Sequence, residues 1–98
     1  MSLKKSGFST RAIHSGEKHE ETGSVTTPIY QTAPFKFKNA AHAADLMGGR
    51  KKGYVYSRGL NPTTEVLEEK MADLEGGEAS LAQTTGMAAI SAAVFTSV

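Results

Sequence analysis

Tyr54-Val55-Tyr56-Ser57-Arg58-Gly59-Leu60-Asn61-Pro62-Thr63 sets a phenol and a guanidinium two residues apart, then a turn, then a helix start. In an extended segment residues i and i+2 share a face, so this spacing predicts Tyr56 and Arg58 side by side. A planar guanidinium grips two oxygens of a phosphate or carboxylate at once, and the phenol adds a further donor. Spacing alone favours the plainer reading, an exposed Tyr and Arg on a loop. Downstream, Asn61 is a favourable N-cap and Pro62 suits the first helical position. Glu65 sits near the positive end of the helix dipole, and Val66, Leu67, Met71 and Leu74 recur at helical spacing. With Gly76-Gly77 as the stop, a helix is expected over 61–75. Its apolar stripe reads as core-facing, with Met71 as core filler.

After that helix, Glu78 to Thr84 reads as a strand with small or apolar groups on both faces, as in a covered sheet. Its backbone groups need partners, and no second strand of equal quality is present. Gln83-Thr84-Thr85-Gly86-Met87-Ala88-Ala89-Ile90 then forms a strand-to-helix turn. A glycine there lets backbone N–H groups approach an anion, and the helix N-terminus adds partial positive charge. Plain capping is the ordinary role of such a turn. The helix from Thr85 to about Val98 is Ala-rich and apolar on most faces, which predicts burial. It meets no stop signal, which predicts a truncated domain.

Upstream, Asn39 to Met47 reads as a short helix capped by Asn39 and ended by Gly48-Gly49. Arg50-Lys51-Lys52 reads as a solvated basic loop. Residues 1–37 show no sustained periodicity and are punctuated by Gly7, Gly16, Gly23, Pro28 and Pro34. Glu17-Lys18-His19-Glu20-Glu21 is a charge cluster, and Met1-Ser2-Leu3 carries no fold argument. So long a structureless segment is unusual inside one compact domain and fits an arm lying on another subunit.

Read in order, these stretches resemble the Cys/Met-metabolism enzymes dependent on pyridoxal phosphate. That family includes methionine γ-lyase, cystathionine γ-synthase, cystathionine γ- and β-lyase and O-acetylhomoserine sulfhydrylase. The carrying residues are Tyr56-Ser57-Arg58 with Asn61-Pro62-Thr63, then Thr85-Gly86-Met87-Ala88-Ala89-Ile90. Thr26-Thr27-Pro28-Ile29-Tyr30-Gln31-Thr32 and Thr10-Arg11-Ala12-Ile13-His14 support them. The resemblance runs from Gly7 onward.

The resemblance implies an α/β protein, the N-terminal part of a type I, aspartate aminotransferase-like fold. Residues 1–60 would be the arm and short helix packing on a neighbouring subunit, and 61–98 the start of the large cofactor domain. It implies that the Gly86 and Met87 amides hold the phosphate of the chain's own pyridoxal 5'-phosphate. Tyr56 and Arg58 would reach the neighbour's phosphate across a dimer interface, within a homotetramer built from dimers with shared active sites. Tyr56 would also lie near the reacting substrate, as a catalytic residue helping to activate its amine or a leaving group. The implied reaction is γ-elimination or γ-replacement on methionine, cystathionine or an O-acylhomoserine, β chemistry being the variant. None of Lys4, Lys5, Lys18, Lys36, Lys38, Lys51, Lys52 and Lys70 stands where the family places its Schiff-base lysine. These 98 residues alone are therefore expected to be inactive.

Composition bounds the other classes. Eleven Lys and Arg against ten Asp and Glu give a formal charge of +1, with no basic stripe for nucleic acid. There is no cysteine, hence no disulfide framework or thiolate metal site. His14, His19 and His42 lack a spacing that gathers them on one metal. No apolar run reaches membrane-spanning length and no signal peptide is visible, so a cytoplasmic protein is expected. Much of the apolar fraction is alanine, concentrated in Ala40–Ala44 and Ala88–Ala93, which buries little area per residue. A chain this small and this poor in large hydrophobes is expected not to fold alone. From a different class, a small non-enzymatic helical module binding a partner through its C-terminal helix is the alternative.

Overall fold

The structure, a computed structural model, describes residue 3, residues 5–18 and residues 21–98. Met1, Ser2, Lys4, and His19 and Glu20 of the charge cluster lie outside the described residues. Four helices follow in order: α1 Phe8–His14, α2 Ala40–Met47, α3 Pro62–Glu75 and α4 Gly86–Ser97. The chain divides into two compact units, one of Gly16–Val66 and one of Met1–Ser15 with Leu67–Val98, the division falling within α3.

In the Gly16–Val66 unit, α2 begins where Asn39 Oδ1 accepts the His42 N–H at 2.8 Å, satisfying one of the helix's free first-turn donors. It ends at Gly48, and Gly49 takes φ +74°, a conformation glycine adopts without steric cost. The basic run that follows is not simply solvated. Arg50 Nε donates to Asp45 Oδ1 at 2.9 Å and Lys51 Nζ lies 3.7 Å from Asp45 Oδ2. Both their backbone N–H groups donate to the Asp45 carbonyl as well. Val66 is the unit's buried hydrophobe, 8% exposed. Phe35 and Tyr54 pack as a tilted pair with ring centres 5.4 Å apart.

In the other unit, α1 corrects the expectation that the first 37 residues lack regular structure. Gly7, at its N-cap, makes no side-chain cap bond. Seven residues are too few to form a helix unaided, and α1 is instead tied to α3. Arg11 Nε donates to Asp73 Oδ2 at 3.1 Å and Arg11 Nη2 to the Asp73 carbonyl at 2.8 Å. Ser15 Oγ donates to the same Asp73 carboxylate, and Lys70 Nζ to the Ile13 carbonyl at 2.9 Å.

The expected strand over 78–84 is not formed. The segment is irregular, and the β pairing among the described residues is one isolated antiparallel bridge, Pro34 to Tyr56. Strand hydrogen bonds must come from another segment, and here the side chain and backbone carbonyl of Glu68, within α3, take their place. The Ala82 N–H donates to Glu68 Oε2 at 2.9 Å, and Ser80 Oγ donates to the Glu68 carbonyl.

The helical stripes stay largely uncovered. Leu67 and Met71 of α3 are 51% and 42% exposed, so Met71 does not fill a core among the described residues. α4 buries no residue, and Met87, Ile90, Val94 and Phe95 all stand in the open. Burial of α4, expected from its composition, is therefore not supplied by the described residues.

Candidate functional site

Tyr56 and Arg58 come together by a route other than strand alternation. The chain is paired at Tyr56 and then turns at once: the Tyr56 carbonyl accepts the N–H of Gly59 at 3.0 Å and of Leu60 at 3.1 Å. The turn folds Arg58 back so that its guanidinium carbon lies 5.0 Å from the Tyr56 ring centre. A cation over the ring's negative face is attracted by about 0.5–1 kcal/mol at an exposed site. Neither Arg58 nor the Tyr56 hydroxyl makes a hydrogen bond or ion pair with the described residues, and both side chains are exposed. The corner thus presents a cation and a phenol with unspent donors.

Ser57, between them, is tightly pinned. Its N–H donates to the Ala33 carbonyl at 2.7 Å, and its hydroxyl donates to the Thr32 carbonyl. The hydroxyl also accepts from Asn61 Nδ2 at 2.9 Å. Asn61 does cap α3, its Oδ1 accepting the Thr63 N–H at 2.9 Å. Its second amide proton goes to the Tyr30 carbonyl at 2.9 Å. Thr63 Oγ1 donates to the Pro28 carbonyl at 2.7 Å and accepts the Tyr30 N–H at 2.9 Å. Asn61 and Thr63 therefore do more than start a helix: they bind the 28–32 segment to its first turn.

The second expected grip is the start of α4. Thr85 Oγ1 accepts the Ala88 N–H at 3.0 Å, so the cap satisfies the third amide of the helix. The Gly86 and Met87 amides make no hydrogen bond among the described residues. A Cβ built on Gly86 meets nothing within 4 Å. Two unspent amides at a positive helix end, facing open space, fit a phosphate dianion.

Other features carry less. A cleft of about 290 Å³ in the Gly16–Val66 unit is lined by Lys18, Thr27, Tyr30, Tyr54 and Val66 among others, and neither Tyr56 nor Arg58 lines it. Its Tyr54 hydroxyl donates to Glu65 Oε2 at 2.5 Å. No group of three His, Cys, Asp or Glu is placed to hold a metal among the described residues. No helix there is long and apolar enough to cross a membrane.

The model of the family of Cys/Met metabolism PLP-dependent enzymes matches residues 9–98. This chain belongs to that family. Among its relatives, the L-methionine gamma-lyase of Porphyromonas gingivalis is 45% identical over 93 residues, covering 95% of this chain and 23% of the relative. The crystal structure of metB from Corynebacterium glutamicum matches 91% of this chain and 22% of its own, with a TM-score of 0.76 at 37% identity. That of an O-acetylhomoserine (thiol)-lyase from Campylobacter jejuni matches 74% of this chain and 18% of its own, with a TM-score of 0.68 at 35% identity. The latter carries N'-pyridoxyl-lysine-5'-monophosphate at position 205. The chain spans about a quarter or less of the length of these relatives. Its fold is thus that of the N-terminal stretch of pyridoxal-phosphate enzymes, and nothing in the comparisons supports a free-standing helical module.

Proposed function

We propose that this chain supplies the arm and the first cofactor-holding elements of a pyridoxal-phosphate lyase or transferase of sulfur amino acids. The substrates are methionine, cystathionine or an O-acylhomoserine, and the reaction is γ-elimination or γ-replacement. The observation that carries this reading is the Tyr56–Arg58 corner, a stacked cation and phenol with unspent donors, in a chain of this family. When bound, pyridoxal 5'-phosphate supplies the electron sink for the chemistry.

This chain's own residues bind and orient. The Gly86 and Met87 amides hold phosphate oxygens of the cofactor of the same chain, needing no side-chain movement. Arg58 would neutralise a neighbouring subunit's phosphate, a guanidinium being suited to bidentate contact, and Tyr56 would add its hydroxyl as a donor. Tyr56 also holds or moves a proton at the substrate amine or leaving group. In this reading residues 1–60 pack on a neighbouring subunit of a cytoplasmic homotetramer, and 61–98 open the large cofactor domain. The uncovered apolar groups on α3 and α4 are in keeping with that assembly.

The test is Arg58→Ala in the intact protein, with cofactor affinity measured by equilibrium dialysis alongside turnover. Loss of both is the expected result. Normal affinity with normal turnover would remove Arg58 from the site.

A further inference from the structure

We propose that Asn61 is a positioning residue for the Tyr56–Arg58 grip, acting through Ser57. The proposal rests on the reading of that corner as a phosphate holder. Asn61 is 8% exposed, and its amide is fully employed. Its oxygen caps α3 at Thr63, while its two protons go to Ser57 Oγ and the Tyr30 carbonyl. One side chain thereby joins the helix start, the Pro28–Thr32 segment and the residue between the two phosphate ligands.

The residue type is informative. A position that needed only a cap would be served by Ser, Thr or Asp. None of these donates the two further hydrogen bonds, to the half-buried Ser57 hydroxyl and to the Tyr30 carbonyl. Ser57 itself has no freedom left once Asn61 is in place: its N–H and its hydroxyl are anchored on Ala33 and Thr32, and the hydroxyl oxygen accepts from Asn61. The rotation of the turn at Ser57 sets where the Arg58 fork stands over Tyr56. Withdrawing the Asn61 amide removes one of the three bonds that hold Ser57 and loosens the turn that carries the Arg58 fork, while α3 keeps a competent cap if serine replaces it.

The experiment is a double-mutant cycle on the intact protein, read as pyridoxal 5'-phosphate affinity by equilibrium dialysis. Arg58→Ala alone tests the phosphate reading. Asn61→Ser is expected to weaken cofactor binding roughly tenfold in the native background, the order of one buried hydrogen bond. In the Arg58→Ala background the same change is expected to cost less than about twofold, because the residue it positions is gone. Ser57→Ala leaves the cap untouched and should reproduce this pattern, which covers the case in which Asn61→Ser folds poorly. Equal losses in both backgrounds would make Asn61 and Ser57 general supports and overturn the proposal. So would native affinity in Asn61→Ser and Ser57→Ala. If Arg58→Ala alone binds normally, the phosphate reading fails first and the positioning role falls with it.

Discussion

The Arg58 guanidinium carbon stands 5.0 Å above the Tyr56 ring because the chain turns between them, with the Tyr56 carbonyl closing the turn on Gly59 and Leu60. Charge alone does not explain such a corner. A lysine would carry the same charge without the planar fork or the stacking plane. Arg58→Lys should therefore keep the fold and lose roughly tenfold in affinity for pyridoxal 5'-phosphate, about the worth of one charge-assisted hydrogen bond. Dialysis of the intact variant at two salt concentrations would check it. Native affinity in the Arg58→Lys variant would mean that charge suffices.

Gly86 offers the opposite kind of change. A Cβ there meets no described atom, and alanine favours helix over glycine. Gly86→Ala should leave thermal stability unchanged or slightly raised while weakening the cofactor, because the added methyl occupies the approach to the amides. A melting curve without cofactor and a binding curve with it separate the two effects. A variant that binds as tightly as the native protein would free Gly86 of the phosphate role.

Asp73 ties α1 to α3, and its carboxyl is held below the ordinary aspartate value of 3.8. The Ser15 hydroxyl is the main cause; burial opposes it, and Arg11 adds a hydrogen bond and its charge. A carboxyl with a lowered folded value stabilises fully above its unfolded value, and the contribution disappears as pH falls through the folded one. The amides of α1 should thus be protected from hydrogen exchange at about pH 5–7 and lose that protection as the pH drops below the ordinary aspartate range. Asp73→Asn should remove the pH dependence and leave α1 frayed throughout. An unchanged acid profile in that variant would assign the loss to other carboxyls.

Asn39 tests a purely local feature. Its side chain satisfies the His42 N–H, and Asn39→Ala should destabilise α2 by about 1 kcal/mol. Exchange rates of the α2 amides report this directly. A change confined to a few tenths of that value would mean that water replaces the cap.

The three caps illustrate what a linear reading reaches. Asn39, Asn61 and Thr85 each bond an amide two or three residues ahead, so donor and acceptor lie in one short stretch. The positive φ of Gly49 and Gly76 after α2 and α3 is local in the same way. The pairing of Tyr56 with Arg58 was legible from spacing, but its geometry was not, since a turn rather than an extended segment brings them together.

The sequence by itself determined α2, α3 and α4, the glycine stops and the family. Tertiary structure alone decided that α1 exists, that 78–84 stays irregular, and that Asn61 reaches Ser57 and Tyr30 as well as its own helix. The physical reason is distance along the chain. A cap is complete within one helical turn, whereas Arg11 meets Asp73 across 62 residues and Asn61 meets Tyr30 across 31. A strand likewise needs a ladder partner from elsewhere, and its own side chains cannot name one.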